Sequence, residues 1–233
     1  MKPICIIPAR KGSKRIKNKN IKLFAGKPLI SYVIKIAKKS KLFSRIIVST
    51  DSKKIANIAK SNGAEVPFVR EKKLSNDYVG VAAVLTDCIQ KISSEKVKYH
   101  FCIFPTAPLI NYKDLIKAYN IIKKKRLDYL IAMSNYNVSP FHACKIKKNN
   151  IVTFYWPKYA AKSSRNLPSL VHDVGAFYIY KTKSLITSKS KILKNLHLSK
   201  KKTAHYLLDK SKSVDINTIE DFKFAEFLYK FRN

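Results

Sequence analysis

Over the first 130 positions, short β-branched apolar runs alternate with segments whose apolar residues recur at helical spacing. Ile4–Pro8 reads as a short apolar strand, followed by a basic loop from Ala9 to Asn20. Leu29, Ile30, Val33, Ile34 and Ala37 then share one face of a 3.6-residue period, which predicts a helix over Pro28–Lys39. Ile46–Ser49 is a second strand, and Asp51 or Ser52 is placed to cap a helix that runs through Lys60 and ends at Asn62-Gly63. Glu65–Phe68 reads as a third short strand. Helix over Val79–Ile92, strand over Tyr99–Phe104, helix over Asp114–Lys124 and strand over Tyr129–Ser134 follow. Strands separated by helices of this length predict βαβ crossovers, an α/β fold and a mostly parallel sheet.

The alternation breaks after Asn135. Phe141–Ile146, Ile151–Tyr155 and Gly175–Tyr180 read as strands joined by polar loops, so residues 135–173 are expected to form an inserted arm rather than an independent domain. A helix near Lys183, a strand at His205–Leu208, the segment Val214–Asn217 and a helix from Ile219 to about Phe231 complete a single-domain reading of 1–233. In that last helix Phe222, Ala225, Leu228 and Tyr229 recur at the spacing of a core-facing stripe.

With 46% hydrophobic and 11% aromatic residues the chain can bury a sizeable core, which excludes a disordered polymer. No apolar run approaches the ~20 residues that span a bilayer. The N-terminus opens on a strand-like segment without the apolar stretch of a secretory signal. Cys5, Cys88, Cys102 and Cys144 lie far apart with neither CxxC nor metal spacing, and read as buried thiols of a cytoplasmic protein. The net charge of +34 rests on 41 lysines and seven arginines. Ile, Asn, Phe and Tyr are also plentiful, a set that an AT-rich coding sequence produces. The lysines are spread along the chain, with short clusters at Lys123–Lys125 and Lys200–Lys202. A nucleic-acid binder concentrates arginine and aromatics on one module, so the charge reads as a solvated surface whose field attracts an anionic small substrate. Neither nucleic acid nor membrane is expected as a partner.

One segment concentrates chemistry. In IIPARKGSKRIKNKNI, from Ile6 to Ile21, a buried strand opens into a loop holding Arg10, Lys11, Lys14, Arg15, Lys17 and Lys19, with Gly12 and Ser13 at its turn. Ligands of α/β sheets bind at the carboxyl ends of strands. Cations and exposed N–H groups there make a cradle for a polyphosphate. Neither GxxxxGK[ST] nor GxGxxG is present.

This segment resembles the N-terminal signature of the CMP-sugar-acid synthetases. The resemblance continues through GKPLI (Gly26–Ile30), LFSRIIVSTD (Leu42–Asp51), GAEVPFVR with LSND (Gly63–Arg70, Leu74–Asp77), FPTAPLI (Phe104–Ile110), HDVGAFYIY (His172–Tyr180) and SVDINTIEDF (Ser213–Phe222). It covers nearly the whole chain in the family's order. It implies a Rossmann-like nucleotidyltransferase fold, helices on both sheet faces, and a β-containing arm that swaps across a homodimer. It also implies a reaction in which the anomeric hydroxyl of a nine-carbon sugar acid attacks the α-phosphate of CTP, releasing pyrophosphate. Carried over by motif position, Arg10 and Lys19 neutralise the triphosphate. Ala9, Ser13, Asn20 and Arg70 lie on the nucleotide side, although Arg70 by residue type is equally a surface arginine.

The resemblance further implies Mg²⁺ at Asp215 and Asn217, residues that face the same side of an extended segment. Related synthetases carry Asp at both positions. Asn217 still offers a hard carbonyl oxygen but no charge, so the cation is held less firmly here. Asp215 is the expected metal ligand, the competing reading being that it only caps the turn before the last helix. Phe104-Pro105-Thr106-Ala107-Pro108 and SLVHDVGAFYIY resemble the branch that activates pseudaminic acid, with Ala176 departing from the Gln usual there. His172 and Asp173 become candidates for the sugar pocket or, alternatively, for a hydrogen-bonded turn. Phe104 would be an apolar wall, and Arg165 in the arm either meets a sugar carboxylate or lies on the surface. His100, His142, His197 and His205 show no metal spacing and read as surface or interface residues. Phe154, Tyr155 and Trp156 read as arm packing. N-acetylneuraminic, legionaminic or, as the poorest fit, 3-deoxy-manno-octulosonic acid as acceptor, and a non-enzymatic basic nucleic-acid-binding protein, are the competing readings.

Overall fold

The computed structural model of the chain describes residues 1–187 and 202–232; His197, Lys200 and Lys201 lie outside the described residues. The strands are β1 (Ile4–Pro8), the short ribbon β2 (Leu23–Phe24) and β3 (Lys27–Pro28), then β4 (Arg45–Ser49), β5 (Tyr99–Ile103) and β6 (Tyr129–Asn135). After them come β7 (Cys144–Ile146), β8 (Val152–Phe154), β9 (Val171–Lys181) and β10 (Thr203–Leu207). The helices are α1 (Leu29–Ser40), α2 (Lys53–Ser61), α3 (Val81–Lys91), α4 (Tyr112–Lys124), α5 (Thr182–Ile186) and α6 (Ile219–Phe231). Most expected elements form close to their expected limits, but the strand expected over Phe141–Ile146 is cut to Cys144–Ile146 by a 3-10 turn at Pro140–His142, and the one expected over Gly175–Tyr180 begins at Val171. Of the two candidates Ser52 is the cap of α2, its hydroxyl accepting from the Ile55 N–H at 3.4 Å. Glu65–Phe68 does not form a strand. Its backbone meets β4 in one isolated bridge, Ile47 to Glu65, and a second bridge, Thr50 to Val69, lies just beyond both segments.

Six strands form one sheet in the order β10-β6-β9-β5-β1-β4. β1 runs parallel to β4 and β5, and β10 parallel to β6, while β9 is inserted antiparallel between β5 and β6. Along β1, Cys5 and Ile7 enter one apolar cluster with residues of α1, α2 and α4; Ile4 and Ile6 enter another with α3 and α5. A strand buried on both faces loses the apolar–polar alternation of a half-exposed one, which is why β1 reads as an unbroken apolar run. A third cluster joins Phe24, Leu29 and Tyr32 to Phe222 and Ala225, seating α6 on the β2–β3 ribbon. The rings of Phe24 and Phe222 meet edge-to-face at 5.5 Å.

The arm projects between β6 and β9. Asn135 and Val171–Asp173 pair with one another or with their strand neighbours inside the sheet, so the projecting part is 136–170. It carries the β7–β8 hairpin and an aromatic knot in which Phe141 packs on Trp156 at 5.8 Å and on Tyr159 at 4.5 Å.

Two sequence readings are corrected by the packing. Cys144 is exposed, unlike the other three thiols. His100 is not a surface residue: it is fully buried on β5, with Nε2 3.0 Å from Ser94 Oγ and Nδ1 2.7 Å from Thr182 Oγ1. Thr182 Oγ1 donates to the Val97 carbonyl, so it accepts from His100, and the neutral imidazole is satisfied on both sides. Burial pushes its pKa down to about 4. Because the unfolded imidazole titrates near ~6.5, the unfolded chain binds the extra proton between the two values. His100 therefore contributes stability above pH ~6.5 that is lost as pH falls toward the folded value, by roughly 3 kcal/mol when complete. Urea midpoints at pH 7 and pH 4.5 test this. The acid-induced drop should shrink in His100→Gln, and an equal drop in both proteins would refute the assignment.

Candidate active site

The three parallel strands β5, β1 and β4 end at a common edge, where the chain turns one way from β1 to β4 and the other way to β5. Such a switch point leaves a crevice between strand ends. Here it is a cavity of about 670 Å³, lined from the β1 loop by Arg10, Ser13, Lys14, Arg15, Lys19 and Asn20 and from the end of β5 by Phe104, Pro105 and Thr106. Its remaining wall is Arg70 with the segment from Leu74 to Val84. The volume is that of a site for a nucleotide-sized ligand.

The basic loop is pinned rather than loose. The Lys11 N–H donates to Asp51 Oδ1 at 2.8 Å, tying the start of the loop to the end of β4. Asn20, nearly buried, donates from Nδ2 to the Arg10 carbonyl at 2.9 Å and so closes the loop on itself. Lys19 Nζ donates to the Ile216 carbonyl at 2.7 Å, which ties the loop to the segment carrying Asp215. Burial lowers the Lys19 pKa, opposed by nearby Asp215 and reinforced by Arg15 and Arg10. Cations crowded together in this way gain most from an arriving polyanion.

Arg70 is a buried residue, 3% exposed, not a surface one. Its Nε donates to Ser75 Oγ at 3.1 Å, while burial lowers its pKa against the opposing pull of Asp51. A buried guanidinium with one side-chain partner keeps donors for a ligand. Asp77 was not singled out from the sequence, although the LSND segment contains it. Its carboxylate ion-pairs with both Arg10 and Lys14, the latter at 2.8 Å.

Ala9 packs wholly inside the core and spends its N–H on the Ser49 carbonyl, 2.9 Å away. Phe104 is held by its N–H donating to the Ala176 carbonyl at 3.0 Å, and its ring meets Tyr178 edge-to-face at 5.1 Å. Tyr178 in turn donates to Asp173 Oδ2 at 2.5 Å, and the Gly175 N–H donates to Asp173 Oδ1 at 2.9 Å. These bonds bridge an irregularity in β9, where the pairing with β6 shifts between Ile131 and Met133 and Gly175 takes a φ of +57°. A β-carbon at Gly175 would lie 3.6 Å from Asp215 Oδ1, so the irregular stretch is the floor beneath Asp215. The His172 ring packs at a tilt against Tyr136, centroids 4.8 Å apart, with Nδ1 3.2 Å from the Asp173 carbonyl. His172, Asp173, Asp215, Asn217 and Arg165 do not line the cavity; Arg165 is exposed on the arm.

Asp215 is exposed, and Asn217 Nδ2 donates to its Oδ2 at 2.6 Å. Asp221, six residues after Asp215, completes a capping box with Thr218 and also accepts from the Asn217 N–H at 2.9 Å. The helix cap is thus supplied by Thr218 and Asp221, which leaves Asp215 without a capping task. Among the described residues no group of three or more His, Cys, Asp or Glu could hold a metal ion by itself.

A family model described as cytidylyltransferase matches residues 4–230. The chain is 38% identical to pseudaminic acid cytidylyltransferase of Campylobacter jejuni, covering 99% of this chain and 97% of that protein. It is 34% identical to CMP-N,N'-diacetyllegionaminic acid synthase of the same species, covering 99% and 96%. A solved structure of CMP:2-keto-3-deoxy-manno-octonic acid synthetase in complex with CTP superimposes with a TM-score of 0.69, at 15% identity, over the whole of both chains.

Proposed function

The chain belongs to the cytidylyltransferase family, and from that premise we propose that it joins CTP to a pseudaminic-type nonulosonic acid, giving the CMP-sugar and pyrophosphate. The observation that carries the reading is the convergence of Arg10, Ser13, Lys14, Arg15, Lys19 and Arg70 on one cavity whose far wall is Phe104. Displacement at phosphorus is governed by positioning and by neutralising charge on the phosphate oxygens. Arg10, Ser13 and Lys19 hold the triphosphate, while Asn20 and Arg70 hold the nucleoside side. The anomeric hydroxyl forms its bond to the α-phosphorus and releases its proton to solvent as the bond from that phosphorus to the bridging oxygen breaks and the oxygen leaves with pyrophosphate. Phe104 faces the deoxy or N-acyl part of the sugar, which gains more from an aromatic wall than from an amide.

Asp215 and Asn217 fit a divalent cation as two hard oxygen donors, one charged, on an exposed segment that leaves room for water and phosphate ligands. Turning the Asn217 amide over exchanges its donor for its carbonyl oxygen beside Asp215. Mg²⁺ bound there would supply charge neutralisation at the transferring phosphate. His172, Asp173 and Arg165 lie outside the cavity in the single chain. They reach a sugar only beyond its open side, where an arm from a second copy would complete the pocket.

The arm supports a homodimer. Val138, Ile146 and Val152 on it are 75%, 83% and 59% exposed, an apolar surface that a lone chain leaves in water. Light scattering is expected to give twice the chain mass, and a monomer at micromolar concentration would refute the arm's role. No helix among the described residues is long and apolar enough to cross a membrane; a cytoplasmic enzyme without nucleic-acid partners is part of the same proposal. Incubation with CTP, Mg²⁺ and a panel of nonulosonic acids, read by product mass, tests the whole. A CMP-linked pseudaminic acid is expected. Product with legionaminic or neuraminic acid alone would reassign the substrate, and tight RNA binding at moderate salt without turnover would overturn the enzyme reading.

A further inference from the structure

The cavity holds one acidic side chain in its wall, and it sits on the cations proposed to bind phosphate. Asp77 lies in the segment between Arg70 and α3 that forms one side of the cavity. Its Oδ1 pairs with Arg10 Nη2, and its Oδ2 is 2.8 Å from Lys14 Nζ. A carboxylate spanning a guanidinium and an ammonium makes the contacts that two oxygens of a phosphate group would make. The segment itself is anchored one turn earlier, where Ser75 accepts from the buried Arg70 and donates to the Glu71 carbonyl at 3.0 Å. Asp77 is therefore presented to the β1 loop from an attached base. Hydrogen bonds from Lys14 and Arg10 hold its carboxyl below the ordinary range, so it is ionised wherever the enzyme would work.

We propose that Asp77 is an internal counter-ion that competes with the substrate's phosphates for Arg10 and Lys14, and returns to them as pyrophosphate leaves. The inference rests on the nucleotide reading of the cavity. Its physical basis is that one cation pair cannot serve the carboxylate and a polyphosphate at full strength together: the two anions repel at the distance set by sharing Arg10. When the nucleotide enters, Asp77 gives up its contacts to the solvent on its exposed side. When pyrophosphate is formed, the same carboxylate offers Arg10 and Lys14 an alternative partner held at high local concentration by the chain. Asp77 thus limits how tightly the site holds anions and favours release of the more highly charged product. Lys19, bonded to the Ile216 carbonyl, and Arg15, with no carboxylate within ion-pair distance among the described residues, remain to grip the nucleotide throughout.

Calorimetric titration of inorganic pyrophosphate and of CTP into the full-length protein, and into Asp77→Asn and Asp77→Ala, tests the proposal. Asp77 is partly exposed and outside any helix or strand, so both variants are expected to fold; near-native circular dichroism checks this. Both should bind pyrophosphate about three- to tenfold more tightly than the unsubstituted protein, with a lower KM for CTP and stronger product inhibition by pyrophosphate. The difference should shrink as salt is raised, because the competing contacts are screened. Unchanged affinity in both variants would overturn the competition. Weaker affinity in both would overturn it as well, and would make Asp77 a group that orients Arg10. If the unsubstituted protein binds neither CTP nor pyrophosphate, the nucleotide reading fails together with this one; if it binds both and the variants do not tighten, only the role of Asp77 fails.

Discussion

Asp215→Asn is expected to lower turnover of CTP with a nonulosonic acid by roughly 10²–10³-fold, the range for removing one preorganised charge from a site where charge is redistributed. The side chain is exposed and carries no helix cap, so the protein should remain folded, and the loss should appear in kcat more than in CTP binding. The same change removes the attraction that supports the Lys19 ammonium, whose pKa burial already lowers. The alkaline limit of CTP binding should therefore move to lower pH. Asn217→Asp gives the opposite outcome. Beside Asp215 it restores a second charged oxygen, and half-maximal activity should need several-fold less Mg²⁺. Normal turnover in Asp215→Asn, measured by pyrophosphate release, would remove this residue from the mechanism.

The largest loss of stability is expected from Asp114→Ala. Asp114 is 5% exposed at the start of α4, and its carboxylate takes Lys212 Nζ at 2.9 and 3.0 Å, the Tyr206 hydroxyl at 3.0 Å and the Asn111 N–H at 2.7 Å. Truncation leaves a mostly buried ammonium with only the longer, exposed contact to Asp209 at 3.6 Å and opens the capping box of α4. Breaking a buried pair from one side costs about 3 kcal/mol, which a urea titration would show as a lower midpoint with an unchanged slope. Lys212 lies three residues before Asp215, so the pair also anchors the segment that presents the proposed metal ligand. Asp114→Asn retains an acceptor for the cap and should lose less. A drop below about 1 kcal/mol in Asp114→Ala would mean that the pair is already well solvated.

Much of this molecule is legible in the order of its side chains because the responsible forces act locally. The period of Leu29, Ile30, Val33 and Ile34 specifies α1, the apolar run Ile4–Ile7 specifies a strand covered on both sides, and six cations after a buried strand specify an anion cradle. Arg70 shows the limit. Its residue type suits surface and site equally, and only the closure of the 70–77 segment over it makes it a buried wall of the cavity. His100 shows the same limit in reverse, since its two partners, Ser94 and Thr182, lie six and 82 positions away. The direction of β9 was likewise beyond sequence pattern, because a strand buried on both faces reads the same whichever way it runs.

By itself, then, the sequence determined the element types, the alternating α/β plan and the chemistry of the β1 loop, all of which depend on neighbours a few residues apart. The tertiary structure decided which cations share a cavity, that Asp77 sits on two of them, and that Asp215 rests over Gly175 instead of lining the pocket. Those arrangements depend on contacts between segments tens to hundreds of residues apart. Coulomb and hydrogen-bond energies fall steeply with distance through space and carry no trace of separation along the chain, so only folding could fix them.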